Sequence, residues 1–388
     1  MKTQSSITIK TIGLAIFTML FGAGNIIYPV KAGVLAGSKN CIGILGFLLT
    51  GVLLPILGLV SMILFDGDYK AFFGRIGRIP GFIAIAFCMF IIGPMLVMPR
   101  CVTVPFAMLS PLFPSVSLIA FSILFCAIAF LVTYKESKLL DILGKYMSWI
   151  LIGSLGSIVV LGLYNAQTMA YQPMPTYLIF LDQVLQGFQT LDLIGALFFA
   201  YIIVRLIKLN TTPDMDSKKI ALLCLKGGIV AGAFMTAFYL GFSFLGAYYA
   251  HLVNLNMNGA EIFGTIALHI IGMKASIILV VAVLMACFST LVALAAVFSE
   301  YLRKDLFHNK ISYIQSLTIT LITTAIISNF GLSNILYWAE PVINFGYPII
   351  VTIALCNAAY KLFGFTQIKI PVLLTTIAMI YIQLKSYW

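Results

Sequence analysis

The chain has 388 residues, of which 62% are hydrophobic and 9% charged, with a formal net charge of +11. Soluble domains are nearer half apolar and a quarter charged, so this composition excludes a water-exposed fold and makes lipid the solvent for most of the chain. The basic excess falls singly or in small groups between apolar runs and forms no basic patch alternating with aromatics, which excludes a nucleic-acid partner.

Each membrane-crossing helix needs about 20 apolar residues, and apolar runs separated by charged or Pro/Gly-rich punctuation predict eleven spans. Their approximate limits are 8–37, 41–65, 80–108, 115–134, 140–164, 186–208, 220–250, 273–300, 311–330, 333–360 and 367–385. The start resembles a signal peptide, but apolar sequence continues to Pro29 and the alternation then repeats, so it is expected to be an uncleaved first span. The segment 256–272 is too short and polar for a span and reads as an interfacial or external helix. No polar stretch is long enough for a separate soluble domain. With a cytoplasmic N-terminus, 18 of the 23 Lys and Arg fall on the cytoplasmic side. Lys31, Lys39, Lys274 and Lys385 fall outside, and Arg100 falls inside a span. This bias fits the positive-inside rule, and an odd span count places the C-terminus outside. The seven cysteines form no C-x-x-C pair, so neither a disulfide framework nor a zinc site is expected.

The first span, TIGLAIFTMLFGAGNIIYPVKAGVLAG, holds Gly22, Gly24 and Asn25 in mid-run with Pro29 four residues on. Each glycine costs a helix about 1 kcal/mol relative to alanine, and Pro29 clashes with the carbonyl of Asn25. Together they predict an unwound segment at mid-membrane, which must line a cavity or be buried in protein; free backbone there suits a cation and a carboxylate. The competing explanation is close helix packing at small residues. Asp192, in QTLDLIGALFF of the sixth span, is an intramembrane acid. It either caps the sixth helix or lines a substrate or ion route, where it is a candidate proton acceptor. Arg100, in PMLVMPRCV, either snorkels to an interface or acts as a gate or charge partner for an acid such as Asp192. Ala286, Ser289 and Thr290 share one face of the eighth span. Their hydroxyls either bond carbonyls one turn back or offer oxygen to a hard cation.

FGAGNIIYP closely resembles the first-span motif of bacterial branched-chain amino acid:cation symporters, the LIVCS (BrnQ-type) family. GPMLVMPRCVTVPF, QTLDLIGALFF, MACFSTLVALAAVFSEYL and EPVINFGYPIIV are similar, in the same order, to further stretches of that family. The resemblance covers nearly the whole chain. It implies an all-α leucine-transporter-like fold: two inverted five-helix repeats, here 8–164 and 186–360, an extra C-terminal helix in 361–388, and broken first and sixth helices. The sixth is expected to unwind near Thr190 to Gly195. It further implies import of Leu, Ile or Val by alternating access with Na⁺ or H⁺ and no other cofactor. One Na⁺ site would use the carbonyls of Thr18, Phe21 and Ala286 with the hydroxyls of Ser289 and Thr290. The family more often has two threonines where Ser289 and Thr290 stand. Backbone groups of Gly22, Ala23, Gly24 and Asn25 would receive the substrate carboxylate, and groups around Thr190 and Asp192 its amino end or side chain. Members usually carry twelve spans, against eleven expected here with the chain ending at LKSYW; a last helix outside the ten-helix core is expected to be dispensable.

The expected location is the bacterial inner membrane, with bilayer and small-molecule substrate as the partners and no obligate protein partner. Asp66-Gly-Asp68 superficially resembles a metal-dependent transferase motif but reads as solvated loop polarity. Glu340-Pro341 is either a pathway acid or the polar start of the tenth helix. His251, His269 and His308 show no metal-ligand spacing. No phosphate-binding Gly-x-x-x-x-Gly-Lys-Ser/Thr motif occurs, so ATP is not the direct energy source. A membrane-embedded transferase would need clustered catalytic residues that this sequence lacks, and a channel leaves two broken helices unexplained.

Overall fold

A computed structural model describes residues 8–134, 147–210, 217–254, 256–273 and 276–386. The expected start of the fifth span at 140–146, and Lys2, Lys135, Lys138, Lys145 and Lys274 of the charge pattern, lie outside them. Among the described residues the chain is helical, with no strand. In order the helices are α1 (Ile9–Leu20), α2 (Ala23–Ala36), α3 (Asn40–Leu48), α4 (Leu54–Ile63), the short α5 (Tyr69–Gly74), α6 (Arg78–Phe90), α7 (Val97–Leu109), α8 (Leu118–Thr133) and α9 (Ser148–Tyr164). There follow α10 (Thr176–Phe188), α11 (Asp192–Asn210), α12 (Ser217–Tyr248), α13 (Gly259–Ile271), α14 (Ser276–Tyr301), α15 (Tyr313–Ser328), α16 (Leu332–Phe363) and α17 (Lys369–Ser386).

By length and composition six helical runs can cross a bilayer: Ala23–Ile63, Arg78–Leu109, Thr176–Val204, Lys219–Tyr248, Ser276–Leu306 and Leu332–Phe363. The helices α1, α8, α9, α13 and α15 are apolar but shorter. The first run contains α2, α3 and α4, and Gly37 takes a positive φ of 48° that redirects the chain after α2. α13 falls in the segment expected to form a short helix, and Asn258 caps it by accepting from the amides of Ala260 and Glu261. Apolar side chains such as Leu131, Ile119, Ile229 and Leu374 point outward and are exposed, whereas Asn25, Arg100, Asp192 and Ser289 are buried. That arrangement inverts a soluble protein and matches a multi-pass membrane protein.

Helix α1 packs along α12, and so does α2; α10 packs along α3 and α11 along α4. The approach of α2 to α12 depends on glycine. A β-carbon on Gly33 would lie 1.8 Å from the Ser243 carbonyl oxygen, and one on Gly246 would lie 2.1 Å from that of Val30. Small residues at a helix interface let backbones meet in lipid, and these two glycines do so here. α7 packs on α14, α8 on α15 and α9 on α14.

Candidate functional site

Helix α1 stops at Leu20, and Phe21 and Gly22 are non-helical (φ/ψ −76/86° and −116/−155°) before α2 begins at Ala23. Asn25 restarts the helix: its Oδ1 accepts from the Gly22 amide at 2.9 Å, and its own amide donates to the Gly22 carbonyl at 3.2 Å. The unwound stretch is therefore shorter and earlier than expected. Ala23, Gly24 and Asn25 are already helical, and Pro29 lies within α2 without breaking it. A proline inside a membrane helix is tolerated where neighbouring protein covers the carbonyl it leaves unbonded, and Pro29 is buried. Gly24 has no room for a side chain, since a β-carbon there would lie 2.6 Å from Arg100 Nη2 and 3.2 Å from Thr190 Cα.

The second break runs over Gln189, Thr190 and Leu191, between α10 and α11. Leu191 has φ 63°, a conformation that costs a bulky residue about 1–3 kcal/mol and persists only when its surroundings impose it. The unwinding expected near Thr190 to Gly195 is thus displaced toward the N-terminus: Asp192 begins α11, and the Gly195 amide already bonds the Leu191 carbonyl at 3.1 Å. The half-helix before the break starts at Thr176, ten residues earlier than the expected sixth span. Its buried Gln183 is accommodated because Nε2 donates to the Ala32 carbonyl at 2.6 Å.

The two breaks face each other and are joined by side chains. Asp192 Oδ2 accepts from Asn25 Nδ2 at 2.6 Å and from the Tyr239 hydroxyl at 2.7 Å, and Asn25 Nδ2 also donates to that hydroxyl. The cluster ties α2, α11 and α12. Arg100 is 1% exposed, so it does not snorkel. Its Nη1 donates to the Gln189 carbonyl at 3.1 Å and to the Tyr28 hydroxyl at 3.4 Å, and Nη2 donates to the Thr190 carbonyl at 3.3 Å. It forms no ion pair with Asp192; its guanidinium instead covers the carbonyl end of α10.

On α14, Ser289 Oγ donates to the carbonyls of Thr18 and Ala286, both at 3.0 Å, and Thr290 Oγ1 donates to the Met19 carbonyl at 3.1 Å. Neither hydroxyl bonds the Phe21 carbonyl; the Phe21 amide closes on Phe17 at 2.8 Å, and its ring packs on Phe238 and Tyr239. Gly22 sits against Thr290, with only 2.7 Å between a β-carbon built on it and Oγ1.

Gly22, Ala23, Gly24, Asn25, Arg100, Thr190, Asp192 and Thr290 all line one cavity of about 20 Å³, room for about one water-sized species. Ile92, Val97, Leu191, Phe199 and Leu294 form its apolar wall. Thr18, Phe21, Ala286 and Ser289 are not part of its lining. The residue pattern does not single out the tyrosines. Tyr28 and Tyr347 stand inside FGAGNIIYP and EPVINFGYPIIV, which was a usable signal, whereas Tyr239 has none. Tyr347 accepts the Leu193 amide at 3.4 Å. Glu340 is exposed and eight residues into α16, not at its start. Asp68 caps α5 through the amides of Lys70 and Ala71, and among the described residues no His, Cys, Asp and Glu group could hold a metal.

Two opposed breaks that line one small cavity inside an apolar helical body fit a membrane transporter, and the comparisons specify which kind. The chain belongs to the branched-chain amino acid transport protein family, which matches residues 5–387. It is 30% identical over 377 residues to the branched-chain amino acid permease BrnQ of Bacillus subtilis (strain 168), covering 95% of this chain and 84% of the relative. It is 29% identical to BrnQ of Escherichia coli (strain K12), covering 88% and 77%. In fold it resembles Mhp1, a nucleobase-cation-symport-1 family transporter solved closed with bromovinylhydantoin bound (TM-score 0.68, 14% identity, 97% and 91% covered). A Na⁺-coupled sialic acid symporter, substrate-bound and outward-open, has a TM-score of 0.58 at 12% identity, with 96% and 90% covered. These neighbours have the leucine-transporter fold, and the relatives are permeases and carriers rather than enzymes.

Proposed function

We propose that this chain imports Leu, Ile or Val into the cell across the bacterial inner membrane, by alternating access and together with Na⁺ or H⁺. The observation that carries this proposal is that both broken helices open onto the same buried cavity, where backbone, one acid and one guanidinium meet an apolar wall. The start of α2 favours an anion, and Gly22 to Asn25 receive the substrate carboxylate once the Gly22 amide gives up Asn25 Oδ1 and the Asn25 amide gives up the Gly22 carbonyl. Thr190 and Asp192 receive its ammonium, and Ile92, Val97, Phe199 and Leu294 its branched side chain. Fitting or losing one methylene in such a wall is worth about 1–3 kcal/mol. A cavity of about 20 Å³ does not hold leucine, so the helices part to admit substrate.

Helix pairing supports two inverted repeats, 8–164 and 186–360. Each broken helix lies along the helix that follows the other one, α1 and α2 on α12, α10 and α11 on α3 and α4. The pairs α7 with α14 and α8 with α15 map onto themselves when the repeats are exchanged. Opposed half-helices at such a repeat interface are where coupling ions and substrates bind. Na⁺ would sit among the carbonyls of Thr18, Phe21 and Ala286 and the hydroxyls of Ser289 and Thr290, an all-oxygen set with the chemistry a hard cation prefers. Each hydroxyl oxygen keeps lone pairs for the ion while its hydrogen donates to a carbonyl. In the alternative coupling, Asp192 carries a proton. The N-terminus is cytoplasmic and the C-terminus outside.

The test is uptake of labelled leucine, isoleucine and valine into proteoliposomes under an imposed Na⁺ or H⁺ gradient. A Na⁺ gradient should drive accumulation, and Ser289→Ala with Thr290→Ala should abolish that drive. Sodium stimulation that survives the double substitution rejects the ion site, and no accumulation of any branched-chain amino acid under either gradient rejects the function.

A further inference from the structure

Arg100 poses a question that the helix breaks alone do not answer. Its guanidinium is buried in the membrane interior, where a basic group is costly unless it faces a pathway or a partner. Every acceptor it has is neutral: two backbone carbonyls and one phenol, at 3.1–3.4 Å. Its Nε has no hydrogen-bond partner. The one acid in the same cavity, Asp192, is bonded to Asn25 and Tyr239 instead. An arginine carries a planar fork of donors matched to a carboxylate, and here Nε is unused and two of the three remaining bonds, at 3.3 and 3.4 Å, are long. Its position adds to this. Nη2 lies 2.6 Å from where a β-carbon of Gly24 would be, so the guanidinium stands against the first turn of α2, and both favour an anion at the same point.

We propose that Arg100 is the charged ligand of the substrate's α-carboxylate and thereby selects zwitterionic amino acids over amines, resting on the transport function proposed above. The exchange of hydrogen bonds accounts for both backbone carbonyls. The carboxylate takes the guanidinium fork, which releases the carbonyls of Gln189 and Thr190. The substrate ammonium, at the Asp192 end of the cavity, takes up the freed acceptors. A ligand with an ammonium but no carboxylate leaves Arg100 on those carbonyls and meets its charge. The apolar wall chooses the side chain; Arg100 chooses the class.

The experiment measures equilibrium binding to the purified full-length protein in detergent. Probes are leucine, leucinamide and 3-methylbutylamine, with the remaining standard amino acids as a panel. Wild type should bind leucine about 100-fold or more tightly than leucinamide, the range expected when a buried charge pair loses one partner. Arg100→Gln should bring that ratio close to one, and Arg100→Lys, which keeps the charge but not the fork, should fall between. Gly24→Ala, which displaces the guanidinium without deleting it, should lower the ratio as well and serves if Arg100→Gln does not fold. If Arg100 only braces α10, the variants will melt earlier yet keep the wild-type ratio, and the proposal is overturned. Arg100-dependent binding of an amino acid outside the branched-chain set supports the proposal while rejecting the substrate assignment. If no amino acid binds wild type, both fall.

Discussion

The two helix breaks do the same job with different materials. In the first, Gly22 supplies an extended link, Asn25 caps the new helix from within its own segment, and the turn is nearly self-contained. The second contains no glycine: Leu191 is held at φ 63° with its side chain buried, and Arg100 and Tyr347 reach in from α7 and α16 to bond backbone on either side. One break is local and the other is imposed by tertiary structure. The asymmetry means that substitutions at the first break should act through contacts across it, whereas the second should be sensitive to distant helices.

The strongest way to probe the join between them is Asp192→Asn. The change keeps an acceptor for Asn25 and Tyr239 but removes the negative charge opposite Arg100, and it also adds a donor facing groups that already donate. Leucine uptake should fall by about 100-fold or more, since losing one member of a buried charged network costs about 2–5 kcal/mol. Normal uptake at every pH tested would mean that Asp192 merely starts α11.

Smaller, and specific to the first break, is Gly22→Ala. Its φ of −116° suits any residue, so no backbone strain is expected. The whole effect comes from Thr290, whose Oγ1, Cβ and Cγ2 would lie 2.7–3.0 Å from the new carbon. Overpacking of this kind costs about 1–3 kcal/mol. Thermal melting in detergent should drop, and adding Thr290→Ala should recover part of the loss although sodium stimulation stays absent. Independent, additive effects of the two changes would show that the break and α14 are not in contact in the working protein.

The same contrast explains what could be read from residues alone. Gly22, Gly24 and Asn25 advertise an interruption because glycine in an apolar run is a local signal. The second interruption is read through Asp192 and the family resemblance, and its observed range overlaps the expected Thr190 to Gly195 only at Thr190 and Leu191, because leucine carries no mark of a left-handed conformation. Residues 176–185 of the half-helix fall outside the expected sixth span, and there Asp182 and Gln183 dilute the apolar pattern; what makes Gln183 tolerable is the carbonyl of Ala32, 151 residues away in sequence. Pro29 misled in the other direction, as its local conflict is absorbed by burial. Tyr239, which completes the Asp192 cluster, sits among aromatic neighbours and could not be distinguished from ordinary packing.

The smallest effect should come from Tyr347→Phe. The hydroxyl accepts the Leu193 amide at 3.4 Å, beyond the usual 2.7–3.2 Å range, so its net contribution should be at the low end of about 0.5–1.5 kcal/mol. The ring, by contrast, packs on Phe188 with centroids 4.9 Å apart, at the end of α10 where the break begins. If shape rather than hydrogen bonding imposes the Leu191 conformation, Tyr347→Phe should change leucine uptake by only about two- to three-fold. Tyr347→Ala, which opens a buried space beside the break, should cost about 3–5 kcal/mol and lower both melting temperature and uptake severely. Equal losses in the two variants would transfer the control of the second break to the hydroxyl and make it, like the first, a hydrogen-bonded cap.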